Sequence, residues 1–327
     1  YAKQYIKKLL LQADITIGGD RPWDIEVSNR KFYQRLLYQG TLGLGESYVD
    51  NMWQCRDLDQ FFYRILRTEL HKKARSNLIG LFNLCKARLF NRQSRKRAFQ
   101  VGEEHYDVGN DLFETMLDNS LTYSCGYWKH ANTLEKAQRA KLDMICRKLQ
   151  LSKGMRLLDI GCGWGSLVQH AAQHYGVKAV GVTVSKEQAS VAKQRCAGFP
   201  VDIVLQDYRE VTGSFEAIAS VGMFEHVGYK NYLNFMDLIS RCLDRNGLLL
   251  LHTIGANRAQ VKCDDWFDKY IFPNGMLPSV MQIASSIEKS FVLEDWHNLG
   301  VDYDKTLMCW YKNFEKNWGK IQNNYSE

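Results

Sequence analysis

The spacing of apolar residues changes near residue 100, and with it the kind of structure the chain can form. Before that point apolar side chains recur every three or four positions over 5–13, 31–39 and 58–66, the spacing of helices with one buried face. Gly18-Gly19, Arg21-Pro22 and glycines 40, 43 and 45 interrupt them, which predicts a small helical unit. Residues 65–99 interleave Leu70, Leu78, Ile79, Leu81, Phe82, Leu84, Leu89 and Phe90 with lysines and arginines, as an amphipathic helix does. The polar stretch at 91–97 reads as a linker. Beyond residue 100, short apolar runs at 156–161, 179–184, 202–206, 217–221, 248–253 and 291–296 read as strands, with helices near 165–175 and 186–197 between the early ones. That alternation predicts an α/β domain of Rossmann type with a mostly parallel sheet, whose ligand sits beyond the carboxyl ends of the strands. The expected division is a helical domain at 1–90, a linker at 91–100 and the α/β domain at 101–327.

Composition fits this picture without sharpening it. With 327 residues, 45% of them apolar and 24% charged, the chain suits about two globular domains and excludes disordered and fibrous classes. Nine cysteines stand singly, with neither a CxxC pair nor a Cys/His spacing suited to zinc, so no metal is expected and the thiols read as reduced. No signal peptide opens the chain, and no uncharged apolar run reaches the ~18 residues that span a bilayer, so a soluble cytoplasmic location is expected. Tyr1 and Glu327 read as ends trimmed from a longer product.

Charge is more informative. Of the net +7, residues 64–97 contribute +10, with eleven basic residues against Glu69 alone. Such a segment suits nucleic acid or an anionic membrane surface better than a merely solvated helix face. No nucleic-acid-binding module is recognised, and stacking aromatics are few, so the membrane reading leads.

Candidate chemistry starts at Leu157-Leu158-Asp159-Ile160-Gly161-Cys162-Gly163-Trp164-Gly165, a strand running into a glycine turn and then a helix. Glycines there let the backbone approach a ligand, and the following helix offers free N–H groups. The pattern is D-x-G-x-G-x-G rather than the dinucleotide fingerprint, no Lys-Ser/Thr follows as a phosphate loop requires, and Gln206-Asp207 closes a later strand. This set resembles the S-adenosylmethionine-dependent methyltransferases. The second strand departs from most of them: it ends without an acid and continues Thr183-Val184-Ser185-Lys186-Glu187-Gln188, as in the cyclopropane fatty acid synthases and mycolic acid cyclopropane synthases. His105-Tyr106-Asp107-Val108-Gly109-Asn110-Asp111, Leu121-Thr122-Tyr123-Ser124-Cys125, Gly222-Met223-Phe224-Glu225-His226-Val227, Leu251-His252-Thr253-Ile254-Gly255 and Tyr270-Ile271-Phe272-Pro273-Asn274-Gly275 are similar to that family's signatures and stand in its order. With the N-terminal unit included, the resemblance is to the phospholipid-modifying branch.

The resemblance implies a class I methyltransferase domain that methylenates the cis double bond of an unsaturated phospholipid acyl chain through a carbocation. It implies S-adenosylmethionine as co-substrate at Tyr123, Ser124, Asp159, Gly161, Gly163, Thr183, Gln188, Gln206, Asp207 and Tyr208. Bicarbonate is implied as proton acceptor, held by Cys125, Glu225, His252, the backbone of Ile254 and Tyr303, of which the four side chains are read as catalytic. Aromatic faces tolerate a cation without trapping it, and Tyr123, Tyr127, Trp128, Phe224, Trp266, Tyr270 and Tyr303 are candidates for that wall. His105, Asp107 and Asn110 read as a lid over the cofactor. Lys72, Lys73, Arg75, Lys86 and Arg88 are expected to dock the enzyme on the inner face of the plasma membrane, and a homodimer is implied. Family members continue beyond the part resembled by 323–327, so the C-terminal end is read as incomplete. Two other readings stand beside this one: a methyltransferase that adds a methyl branch, and a non-catalytic protein that only senses the cofactor.

Overall fold

The computed structural model describes residues 1–70, 93 and 110–325. Lys72, Lys73, Arg75, Lys86 and Arg88, the expected linker apart from Gln93, and His105 and Asp107 lie outside the described residues. The chain forms two compact units, one of Tyr1–Asn91 with Lys262–Phe272, the other of Arg92–Val261 with Pro273–Glu327.

In the first unit, helices α1 (Ala2–Gln12), α2 (Lys31–Val49) and α3 (Leu58–Arg67) bury Ile6, Leu10, Phe32 and Phe61 around Trp53. The unit is not purely helical as expected: β1 (Ile25–Val27) and β2 (Trp53–Cys55) pair as an antiparallel ribbon. Three-residue strands are too short to display a period of two, and burial of Ile25 and Trp53 fixes them instead. Of the three glycines expected to interrupt helix, only Gly40 does, at φ 59°. The helix runs on through Gly43 and Gly45 because close packing, not turning, requires them. A Cβ at Gly43 would lie 2.4 Å from the Arg35 carbonyl oxygen, and one at Gly45 would lie 2.2 Å from the Trp266 ring. Trp266 sits on a short helix, Asp265–Tyr270, so a segment distant in sequence completes this unit.

In the second unit, α4 (Asn110–Met116) and α5 (Leu134–Lys148) precede a five-stranded sheet built from β3 (Arg156–Ile160), α6 (Ser166–Tyr175), β4 (Lys178–Thr183), α7 (Lys186–Arg195), β5 (Val201–Leu205), β6 (Phe215–Val221), α8 (Tyr232–Cys242) and β7 (Leu243–His252). The order is β5-β4-β3-β6-β7, with every pair parallel. Successive residues of β3 serve opposite faces: Leu157 packs with Leu142, Ile145 and Leu167, whereas Leu158 and Ile160 pack with Phe235, Met236 and Ile239. Helices cover both faces, which is why these strands read as unbroken apolar runs. The chain leaves β3 toward β4 and β5, then returns to lay β6 on the other side of β3, so a crevice opens beyond the ends of β3 and β6.

The strand expected at 291–296 does not form. Apolar alternation marks a segment able to pair, but no described strand offers it a partner, and Val292 and Trp296 remain exposed. After α9 (Val280–Ile287), the chain ends in the long α10 (Gly300–Ile321), which packs on α4 through Asn313 Nδ2 donating to the Met116 carbonyl at 3.0 Å.

Candidate functional site

β3 ends at Ile160, and glycines 161, 163 and 165 that follow all take positive φ, at +83°, +55° and +84°. Side chains resist that region of backbone space, so the tight path from β3 into α6 depends on these three residues. At Gly161 the constraint is doubled, because a Cβ would meet the Met223 side chain at 2.7 Å. All ten residues expected to hold the cofactor line one cavity over this turn: Tyr123, Ser124, Asp159, Gly161, Gly163, Thr183, Gln188, Gln206, Asp207 and Tyr208. At the end of β4, Thr183 Oγ1 donates to Gln188 Oε1 at 2.9 Å, and Ser185 Oγ caps α7 by accepting from the Gln188 N–H at 3.2 Å. The fully buried Asp207 accepts from the Arg209 N–H and guanidinium, both at 2.9 Å.

Several residues in the same wall escaped the sequence reading. Trp164 and Met223 line the cavity, as does His226, which carries no assigned role above. Burial pushes the His226 imidazole down to about 4, so it is neutral at physiological pH. Lys141 is the largest omission. It is 1% exposed, and its ammonium donates to Ser124 Oγ at 2.9 Å. A signal was present: Lys141 occupies the buried register of α5 with Leu134, Ala137, Gln138, Leu142 and Ile145, a charged residue on an apolar stripe. Asn110, from the expected lid, accepts from Trp164 Nε1 at 3.1 Å and donates to Glu187 at 3.2 Å.

Cys125, Glu225, His252, Ile254 and Tyr303 do not line that cavity. Glu225 follows β6 in a turn of 3-10 helix, and its Oε1 accepts from the Ile254 N–H beyond β7 at 2.8 Å, while Oε2 is buried without a hydrogen-bond partner. Burial raises the Glu225 carboxyl against the opposing pull of the Ile254 N–H. Tyr303, whose hydroxyl burial also pushes up, is close enough to feel both Glu225 and Cys125. Burial drives the Cys125 thiol up to about 11, so it is a neutral, weak donor. The structure thus ties Glu225 to Ile254 by a hydrogen bond and leaves Tyr303 within electrostatic reach of Glu225 and Cys125. His252 is the last residue of β7, two positions before Ile254. Its carbonyl accepts from the Gly222 N–H at 2.8 Å, and burial followed by the Lys141 charge lowers its imidazole to about 4.

Aromatic rings connect the two regions. Tyr123 packs on Phe113 and on Trp310, and Tyr303 meets Trp310 edge-on, with centroids 6.2 Å apart. The other aromatic candidates serve different ends. Phe224 stacks on Tyr232 in the core, Trp128 donates to Thr306, Tyr127 meets His297, and Trp266 and Tyr270 belong to the first unit. The loop carrying Cys125 is pinned by Thr306 of α10, whose Oγ1 accepts from the Gly126 N–H at 3.1 Å and from Trp128 Nε1 at 2.9 Å.

A parallel sheet with this strand order, a three-glycine turn after its central strand and a cavity above that turn define a class I S-adenosylmethionine-dependent methyltransferase. The family model described as mycolic acid cyclopropane synthetase matches residues 93–327, and the chain belongs to that family. Cyclopropane-fatty-acyl-phospholipid synthase of Escherichia coli strain K12 is 54% identical over 320 residues, covering 98% of this chain and 84% of the relative. Among solved structures, the cyclopropane synthase MmaA2 from Mycobacterium tuberculosis superposes with TM-score 0.66 at 31% identity, covering 70% of this chain and 87% of the other. The mycolic acid cyclopropane synthase CmaA1, complexed with SAH and CTAB, gives 0.65 at 33% identity with the same coverage.

Proposed function

We propose that the chain transfers a methylene carbon from S-adenosylmethionine to the cis double bond of unsaturated phospholipid acyl chains, forming a cyclopropane ring. Its likeness over 98% of its length to a relative named for acting on fatty acyl phospholipids carries this reading.

In this reaction the olefin π electrons attack the sulfonium methyl, S-adenosylhomocysteine departs, and the resulting carbocation closes to a ring as a proton leaves the transferred carbon. The rings of Tyr123, Tyr303 and Trp310 offer faces that attract a cation and form no bond to it. The unpartnered Oε2 of buried Glu225 fits an anion that retains a proton to donate, which bicarbonate does and a dianion does not. Cys125, Glu225, His252 and Tyr303 would hold it together with the backbone at Ile254, whose N–H already fixes Glu225. Bicarbonate supplies a proton acceptor when bound. Cys125 stays neutral and Tyr303 un-ionised, so neither adds a negative charge that would repel an anion.

A phospholipid substrate requires access to a lipid surface. Lys72, Lys73, Arg75, Lys86 and Arg88 supply positive charge for an anionic one, each worth roughly 1 kcal/mol near the surface. No helix among the described residues is long and apolar enough to cross a membrane. The functional form is a homodimer peripherally bound to the cytoplasmic face of the membrane. The test is mass spectrometry and NMR of unsaturated phospholipid vesicles incubated with the protein, S-adenosylmethionine and bicarbonate. A gain of one CH2 with loss of olefinic proton signals and new ring methylene signals is expected. A gain of CH2 with the alkene retained would assign methyl branching instead, and bound cofactor with no mass gain would assign the sensor role.

A further inference from the structure

Lys141 and Asp159 pose an electrostatic problem that the described protein does not solve by itself. Both are nearly inaccessible, at 1% and 2% exposure, and both line the cavity over the glycine turn. An ammonium has three N–H groups, yet Lys141 makes a single hydrogen bond, to Ser124 Oγ, and no ion pair among the described residues. Asp159 Oδ1 is buried with no partner. The two charges feel each other, and Asp118, Cys125 and His252 also face Lys141. Buried charges left this poorly paired are costly and are retained where a ligand completes them.

A cavity wall with one under-bonded cation and one under-bonded anion complements a zwitterion. Resting on the methyltransferase reading above, we propose that Lys141 is the positioning residue for the α-carboxylate of S-adenosylmethionine. It acts through Ser124, whose hydroxyl accepts from the lysine and is thereby turned to donate its own proton to the carboxylate. Asp159 faces the α-ammonium of the same amino-acid group. An anion on the far side of Ser124, toward Cys125, is a poorer candidate, because Cys125, Glu225 and His252 do not line the cavity that Lys141, Ser124 and Asp159 share. The arrangement holds the head group without exposing a lysine that could act as a nucleophile toward the sulfonium methyl.

The experiment is calorimetric titration with S-adenosylhomocysteine and with its analogue lacking the α-carboxylate, 5′-(3-aminopropyl)thio-5′-deoxyadenosine. The wild-type protein should bind the carboxylate-bearing ligand ten- to a hundredfold more tightly, on the order of a charge-assisted hydrogen bond. In Lys141→Met that preference should collapse to within about threefold, with Lys141→Gln between the two. A structural role alone would weaken both ligands equally, so an undiminished preference in Lys141→Met overturns the proposal. If Lys141→Met fails to fold, Ser124→Ala replaces it, and an unchanged preference there overturns the proposal as well. Failure of the wild-type protein to bind S-adenosylhomocysteine at all would instead remove the cofactor reading itself. Unaltered preference beside intact binding removes only the role of Lys141.

Discussion

The cofactor cavity and the buried carboxylate cluster occupy the same end of one sheet but are built by opposite means. The cavity is shaped by backbone: glycines at φ values that side chains resist, a capped helix start at Ser185, and residues drawn from adjoining βα turns. The surroundings of Glu225 are assembled from separate stretches, with the Ile254 N–H bound to the carboxylate and Cys125 and Tyr303 within electrostatic reach only through the fold. Backbone-built sites fail when space is taken away, whereas side-chain-built sites fail when one polar atom is changed.

The largest effect should follow Glu225→Gln, which preserves shape but replaces an acceptor oxygen. Turnover is expected to fall on the order of a thousandfold with S-adenosylhomocysteine affinity unchanged, as single-turnover assays and calorimetry would read. A parallel loss of affinity would mean the two regions are one site. Next comes Gly161→Val, which adds a clash with Met223 at a residue held at φ +83°. Affinity should drop about a hundredfold or more, and retention of affinity would show that the turn yields. Thr306→Val strips the shared acceptor of the Gly126 N–H and Trp128 Nε1. A loss of about 2–4 kcal/mol in denaturant unfolding is expected, with turnover falling more than cofactor affinity because the Cys125 loop is what it pins. Gly45→Ala pushes a methyl into the Trp266 ring and should cost about 1–3 kcal/mol while leaving cofactor affinity alone.

The smallest effect is pH-linked. His226 and His252 both titrate near 4 in the folded chain, below the ordinary 6.5, so the unfolded chain binds protons first as pH falls. Stability is therefore full above about 6.5 and declines below it, by roughly 1.4 kcal/mol per histidine at about pH 5.5. Replacing His252 with Asn should flatten part of that decline in urea unfolding at the two pH values.

The same contrast explains what could be read from the chain unaided. The central strands were legible because side chains on both of their faces are buried, which leaves apolar runs. Gly161 and Gly163 were legible because a glycine turn is local in sequence, whereas Tyr123, Ser124, Thr183, Gln188 and Asp207 rested on the resemblance to the family. Lys141 was harder to read, since its neighbours in space lie 17 and 18 residues away at Ser124 and Asp159, and its place on the apolar stripe of α5 is the one local sign of it. Gly43 and Gly45 misled because glycine serves both turning and close approach, and only the Arg35 carbonyl and the Trp266 ring tell which. The run at 291–296 misled because pairing is a property of two segments.

The Ile254 N–H bond to Glu225 and the Gly222 N–H bond to the His252 carbonyl tie the ends of β6 and β7 to each other twice. Each tie is made when the sheet forms, so the carboxylate is aimed before any ligand arrives. On the proposed reading, an anion held there meets dipoles that need not rotate as charge develops, and the reorganisation that bulk water would undergo during each turnover has been completed once, at folding.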